Sequence, residues 1–321
     1  MDRRRFLAAA VAAPFALREV PAALAASSNA LAFVTADTEA HVAVVDLVTG
    51  VVRKRVATLP GPRSVERVGE HALVAHTAVG AVTVLDARTL GVRHVLESFE
   101  EPRYTAAAPD GRHAFVTDSG RAELVTVDVE RGTVVGRLKL WQWPRHLSLS
   151  PGARTLWVGL GTASRELAVV DVTQPARPRL RGRLRPPFLA HDVGFAPGGR
   201  RVWVTAGETG AIAVHDARTG DVLRRLGADP APQHVTFLDG RALVSSGDAG
   251  TLRVYDEPSA RLLRVAEIPA GSYNVQFAAG RVLTPSLAAG TLCVLDAHGR
   301  LRERVHVAAS SHDACLARAA R

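Results

Sequence analysis

The chain has 321 residues, 47% of them hydrophobic, and 40 Lys+Arg against 31 Asp+Glu give it a formal charge of +9. The basic excess is almost entirely Arg, Lys54 and Lys139 being the only lysines, and no run of five or more basic residues follows the N-terminal region. A nucleic-acid surface, which needs a basic stripe with interleaved aromatics, is therefore not expected.

Residues 1–25 read as an export signal. Arg3, Arg4 and Arg5 precede an apolar run over residues 8–17, which breaks at Arg18-Glu19 and leads to Ala23-Leu24-Ala25, a small-residue cleavage pattern. That run is about ten residues long, short of the roughly 20 that cross a bilayer, so no membrane span is expected. Arg3-Arg4-x-Phe6-Leu7 resembles the twin-arginine signal, which implies a periplasmic or extracellular protein exported already folded. Without the four Arg and two acids of this segment the formal charge falls from +9 to +7.

From residue 30 onward the chain repeats. The fullest copy, residues 144–171, opens on the polar pair Arg145-His146 and runs as a short alternating strand into the turn Ser150-Pro151-Gly152. It continues through the apolar Leu156-Trp157-Val158 to a hydrophobic strand closed by Asp171. Equivalent markers are Asp46, Asp86, Asp128, Asp171, Asp216, Asp256 and Asp296, spaced 40 to 45 residues apart. A period of roughly 42 residues, holding four short strands and no 3.6-residue pattern, predicts an all-β fold. The expected architecture is a seven-bladed β-propeller with four-stranded antiparallel blades, one domain over residues 26–321. Each closing Asp should accept hydrogen bonds from backbone N–H groups just after it and so fix the following turn.

Residues 30–57 supply three strands with no inner strand before them, while residues 312–317 match the inner-strand pattern. The C-terminal strand should therefore join the N-terminal blade and close the ring, removing two open edges. Cys293 falls in a third strand and Cys315 in the terminal one, placements not expected to bring their Cα atoms within the roughly 7 Å that a disulfide allows. Two buried free thiols are predicted.

Three segments carry a family likeness. Ala108-Pro109-Asp110-Gly111 precedes Ala114-Phe115-Val116-Thr117, Ala196-Pro197-Gly198-Gly199 precedes Val202-Trp203-Val204-Thr205, and Phe33-Val34-Thr35 stands in the first unit. With the later Ala213-Val214-His215-Asp216-Ala217-Arg218-Thr219-Gly220, they resemble the YVTN, or YncE-like, propeller repeats of exported bacterial proteins over residues 30–317. The Asn of that motif is replaced by Ala36, Asp118 and Ala206. The resemblance implies the fold; such propellers host many unrelated functions.

Aligning the inner strands places one polar pair per blade at the channel mouth: Arg63-Ser64, Arg103-Tyr104, Arg145-His146, His191-Asp192, Gln233-His234, Tyr273-Asn274 and His312-Asp313. Pro62, Pro102, Pro144 and Pro232 directly precede four of them, fixing φ and removing a donor. Ser, Ala, Val and Thr would close an axis equally well, so this ring of donors, acceptors and titratable groups is the candidate ligand site. Which member of each pair faces the axis is left open, as is the bland alternative that these side chains bridge neighbouring blades. Arg63, Arg103 and Arg145 form one side, suited to forked hydrogen bonds with a carboxylate or phosphate. His191, Asp192, His312 and Asp313 form the other. Trp141 and Trp143 stand beside the mouth as a stacking wall or a cover for the blade edge.

The expected function is that of an exported, monomeric binding module recognising a small anionic ligand or a partner protein at this face. One alternative is a bound haem-like or metal cofactor on His146, His191, His234 and His312, the middle two approaching one metal or the two faces of a macrocycle. Propellers similar to periplasmic nitrite reductases hold a haem over the same face. The other alternative is a lactonase with Asp192, Asp313 and Asn274 in a metal cage or a His as general base. No spacing selects a catalytic set, and no C-x-x-C, G-x-S-x-G or Gly-rich phosphate loop is present.

Overall fold

A computed structural model describes residues 30–161 and 164–318; the export-signal reading of residues 1–25 lies outside them. Seven four-stranded antiparallel sheets follow one another, each running from an inner to an outer strand. The second and third strands of a blade are covered on both faces, which is why they read as nearly continuous apolar runs such as Ala211–Asp216. The fourth strands, such as Val222–Gly227, are exposed and rich in Arg and Leu.

The core is divided among the blade interfaces. Seven apolar clusters are found, each drawn from two neighbouring blades. In one of them Trp157 meets Phe195 edge-on at 5.8 Å; in the next Trp203 meets Phe237 at 6.3 Å and Tyr255 at 5.5 Å. Burying each such side chain contributes on the order of 1.5–3 kcal/mol, so the interfaces hold the ring together.

All seven marker Asp residues do what their spacing suggested. Asp46 accepts from Val48 N and Thr49 N, Asp86 from Arg88 N and Thr89 N, Asp128 from Arg131 N, and Asp171 from Thr173 N. Asp216, Asp256 and Asp296 repeat the arrangement with Thr219 N, Ser259 N and His298 N. Four residues after the Asp the chain turns left-handed, at Gly50, Gly132 and Gly220, and also at Leu90 and Ala260 with φ of 54° and 56°. Fixing a side chain there costs roughly 1 kcal/mol, which the Asp turn offsets.

The C-terminal strand Ser311–Arg318 is the inner strand of the first blade and pairs with Leu31–Ala36. Ring closure is thus as expected. Cys293 and Cys315 are both buried and free.

A feature of the V-T step in the repeat was not anticipated. Inner strands carry register shifts at the mouth pairs, among them those between Pro102 and Thr105, between Ala190 and Val193, and opposite Val34–Ala36 of the first blade. A bulge leaves a backbone N–H without its ladder acceptor. Threonine hydroxyls fill the gap: Tyr104 N donates to Thr117 Oγ1 at 3.2 Å, Asp192 N to Thr205 Oγ1 at 3.1 Å and Asp313 N to Thr35 Oγ1 at 2.9 Å. Each hydroxyl in turn donates to the next blade's mouth pair, at Arg145 O (2.7 Å), Gln233 O (3.3 Å) and Arg63 O (3.2 Å). One buried atom thus fixes the bulge and ties two blades. Thr117→Val keeps the shape and removes both bonds, and chemical denaturation is expected to show a loss of about 1–3 kcal/mol. An unchanged midpoint would deny the hydroxyl this role.

Candidate functional site

The channel holds a cavity of about 240 Å³. Its lining shows which member of six of the seven mouth pairs faces inward; neither Tyr273 nor Asn274 borders it. Ser64, Tyr104, His146, Asp192, His234 and Asp313, the second members, line it, followed two residues deeper by Glu66, Ser148, Thr236 and Gln276. The residues between and beyond them, such as Leu147, Val193 and Val235, border it too, so these inner strands line the cavity along their length. The first members Arg63, Arg103, Arg145, His191, Gln233, Tyr273 and His312 do not line this cavity.

Several of the candidate residues are structural ties between blades. Asp313 accepts from Val65 N at 3.0 Å and Asp192 from Val235 N at 2.9 Å, each joining its strand to the next inner strand. Asn274 Nδ2 donates to His312 O at 3.0 Å, and His312 Nδ1 lies 2.9 Å from Arg63 O. Asn274 Nδ2 and His312 Nδ1 are thereby committed to backbone, which leaves His312 Nε2 outside these bonds. Among the rim residues, Tyr273 donates its hydroxyl to Asp248 at 2.8 Å.

The three arginines divide. Arg63 pairs with Asp37 at 3.3 Å, and Arg103 with Glu101 at 3.3 Å. Arg145 has no carboxylate partner among the described residues, and Nε of both Arg103 and Arg145 is buried without an acceptor. Trp143 packs on both, its ring 4.1 Å from the Arg103 guanidinium and 5.1 Å from that of Arg145, while its indole N–H donates to Glu101 at 3.2 Å. Burial first, and then the charge of Arg145, hold Arg103 below the usual guanidinium range. Trp141 belongs elsewhere: it lies under Arg183 at 3.5 Å and donates to Glu166 at 2.7 Å, covering the blade edge rather than the mouth.

Beside these arginines the imidazoles cluster. His146 stacks on Tyr104 with centroids 3.6 Å apart and lies 4.7 Å from His191 and 5.5 Å from His234. Burial, then the charge of Arg145, lowers His191 to about 3, and burial first holds His146 and His312 well below the usual range, so these rings are neutral at pH 7. Burial raises Asp192, and raises Asp313 to about 6.

Glu66 was missed in the sequence. It lies in the channel below Ser64, and burial with the nearby Asp313 carboxylate raises it to about 8. The signal was available: where Glu66 stands, the six equivalent inner-strand positions hold Ala106, Ser148, Gly194, Thr236, Gln276 and Cys315, none of them a carboxylate.

No protein-family description and no curated protein matches the chain. Solved structures do. The chain is similar to hydrazine synthase from Kuenenia stuttgartiensis, at 18% identity with a TM-score of 0.67, over 80% of this chain and 89% of that one. It is also similar to a functionally unknown protein from Desulfotomaculum acetoxidans DSM 771, at 10% identity with a TM-score of 0.77, over 89% of this chain and 98% of that one. At these identities the likeness concerns the propeller fold alone.

Proposed function

We propose that the chain is an exported binding protein of the YVTN-like type that holds a small anionic ligand, a carboxylate or phosphate, at the channel mouth. The observation that carries this reading is Arg145. It is a half-buried guanidinium without a carboxylate partner, set beside a second guanidinium and the face of Trp143. Two like charges held this close are costly until an anion bridges them, and a guanidinium fork suits planar oxyanions. The aromatic wall adds stacking area for a planar group. Export to the periplasm rests on the twin-arginine-like residues 3–7.

Titration calorimetry against a panel of small carboxylates and phosphate esters tests the reading. At least one member is expected to bind, with Arg145→Ala weakening it tenfold or more, Arg103→Ala weakening it similarly, and Arg63→Ala, whose guanidinium does not pack on Trp143, having a smaller effect. Equal affinities across wild type and all three variants would sink it.

A further inference from the structure

We propose that His146, Asp192 and His234 form a binding site for a divalent first-row transition-metal cation inside the channel. The three residues occupy equivalent inward positions on three consecutive inner strands, so the ring itself brings them together. One donor atom from each lies within 4.8 Å of the others. Two ligands on a common metal at ~2.1 Å stand about 3.4 Å apart in a tetrahedral site, so closure requires a shift of about an ångström or so. Side-chain rotation supplies that much.

Each member shows a separate reason to take a metal. His146 is only 2% exposed, yet neither ring nitrogen has a hydrogen-bond partner. The His191 backbone lies near the ring but outside hydrogen-bond geometry. An orphaned buried imidazole is costly, and a metal ion is a partner that satisfies it. His234 is oriented by the backbone: its Nδ1–H points at Val275 O at 3.0 Å, which leaves Nε2 with its lone pair. That is the outer contact ligating histidines commonly make. Asp192 is a buried carboxylate with no Arg or Lys in ion-pair range among the described residues, its nearest ionisable partner being His234 Nδ1 at 3.8 Å. A divalent cation supplies the charge it lacks.

Two imidazoles and one carboxylate suit zinc, iron, cobalt, nickel or copper better than calcium or magnesium, which prefer all-oxygen cages. All three residues line the cavity, so the remaining coordination positions open into it. The inference does not depend on the anion reading, which concerns Arg103 and Arg145 on the rim. His191 is the natural internal control. It touches His146 but is not one of the three donors.

The test is titration of untagged, chelator-treated protein with Co(II) and with Zn(II), followed by calorimetry and, for Co(II), by visible ligand-field absorption. The expected result is one ion per chain with a dissociation constant of micromolar order or tighter. His146→Ala, Asp192→Asn and His234→Ala should each weaken binding at least tenfold, while His191→Ala leaves it within a factor of two or three. Asn at position 192 keeps an acceptor for Val235 N, and thermal unfolding without metal shows that each variant is folded. Absence of one-to-one binding in wild type, undiminished binding in His146→Ala, or an equal loss in His191→Ala would overturn the assignment.

Discussion

A chain ended at Ala309 is expected to lose its cooperative thermal transition, or to keep one lowered by well over 10 °C, and to become sensitive to protease at native temperatures. The strand removed, Ser311–Arg318, touches more than its own sheet. It pairs with Leu31–Ala36, bonds the next blade through Asp313 to Val65 N and through the Arg67 guanidinium to Ala317 O, and receives Asn274 from the blade behind. Its loss exposes the edge of the first blade, uncovers buried Phe33, Val34 and Ala36, and orphans donors on both flanking blades. The combined effect is on the order of 5 kcal/mol or more, comparable to the whole stability of an ordinary domain. Circular dichroism melting and limited proteolysis of the two chains decide the matter. A midpoint equal to that of the full chain would mean that the ring closes without this strand.

What the sequence made legible was local hydrogen-bond chemistry and strand alternation. An Asp closing a strand fixes its turn with its own carboxylate, so the seven markers located the blades whatever their packing. The closing strand was legible for the same reason, since its alternation matches the other inner strands. The mouth was harder. Bulges at the polar pairs, such as the shift between Ala190 and Val193, decouple alternation from facing, and only the three-dimensional ring shows Asp192 rather than His191 turned to the axis beside His234. Trp141 and Trp143 looked equivalent at a spacing of two. Gln142 between them takes a φ of 65°, which breaks the extended chain and sends the two rings to different surroundings. An acid inside a strand, as Glu66 is, reads like a solvent-facing residue until the neighbouring strands close around it.

Glu66→Gln is expected to stabilise the protein above neutral pH and to flatten its pH dependence. The Glu66 carboxyl moves from an ordinary 4.5 to about 8 on folding, raised first by burial and then by the Asp313 charge. The folded state therefore holds a proton that the unfolded chain releases, and wild-type stability is greatest below about 4.5, falls as pH rises toward 8, and is level beyond it. A change of this size corresponds to as much as ~5 kcal/mol at 1.36 kcal/mol per tenfold change in proton affinity. Glu66 is only partly buried, which screens its charge, and about 2–4 kcal/mol is the expected gap between variant and wild type above pH 8. Asp313, raised to about 6, adds a smaller decline of the same sign between its ordinary 3.8 and 6. The turn carboxylates oppose it at the acid end: Asp171, lowered to about 2 chiefly by the Thr173 N–H, contributes stability that is present above 3.8 and lost as pH falls toward 2. Wild type should accordingly be most stable on the acid side of neutrality. Thermal midpoints of both proteins between pH 4 and 9 provide the check, the two curves meeting near pH 4.5 and separating steadily up to pH 8. Parallel curves, or a variant less stable at pH 8, would show that Glu66 is charged in the channel and held there by partners other than a proton.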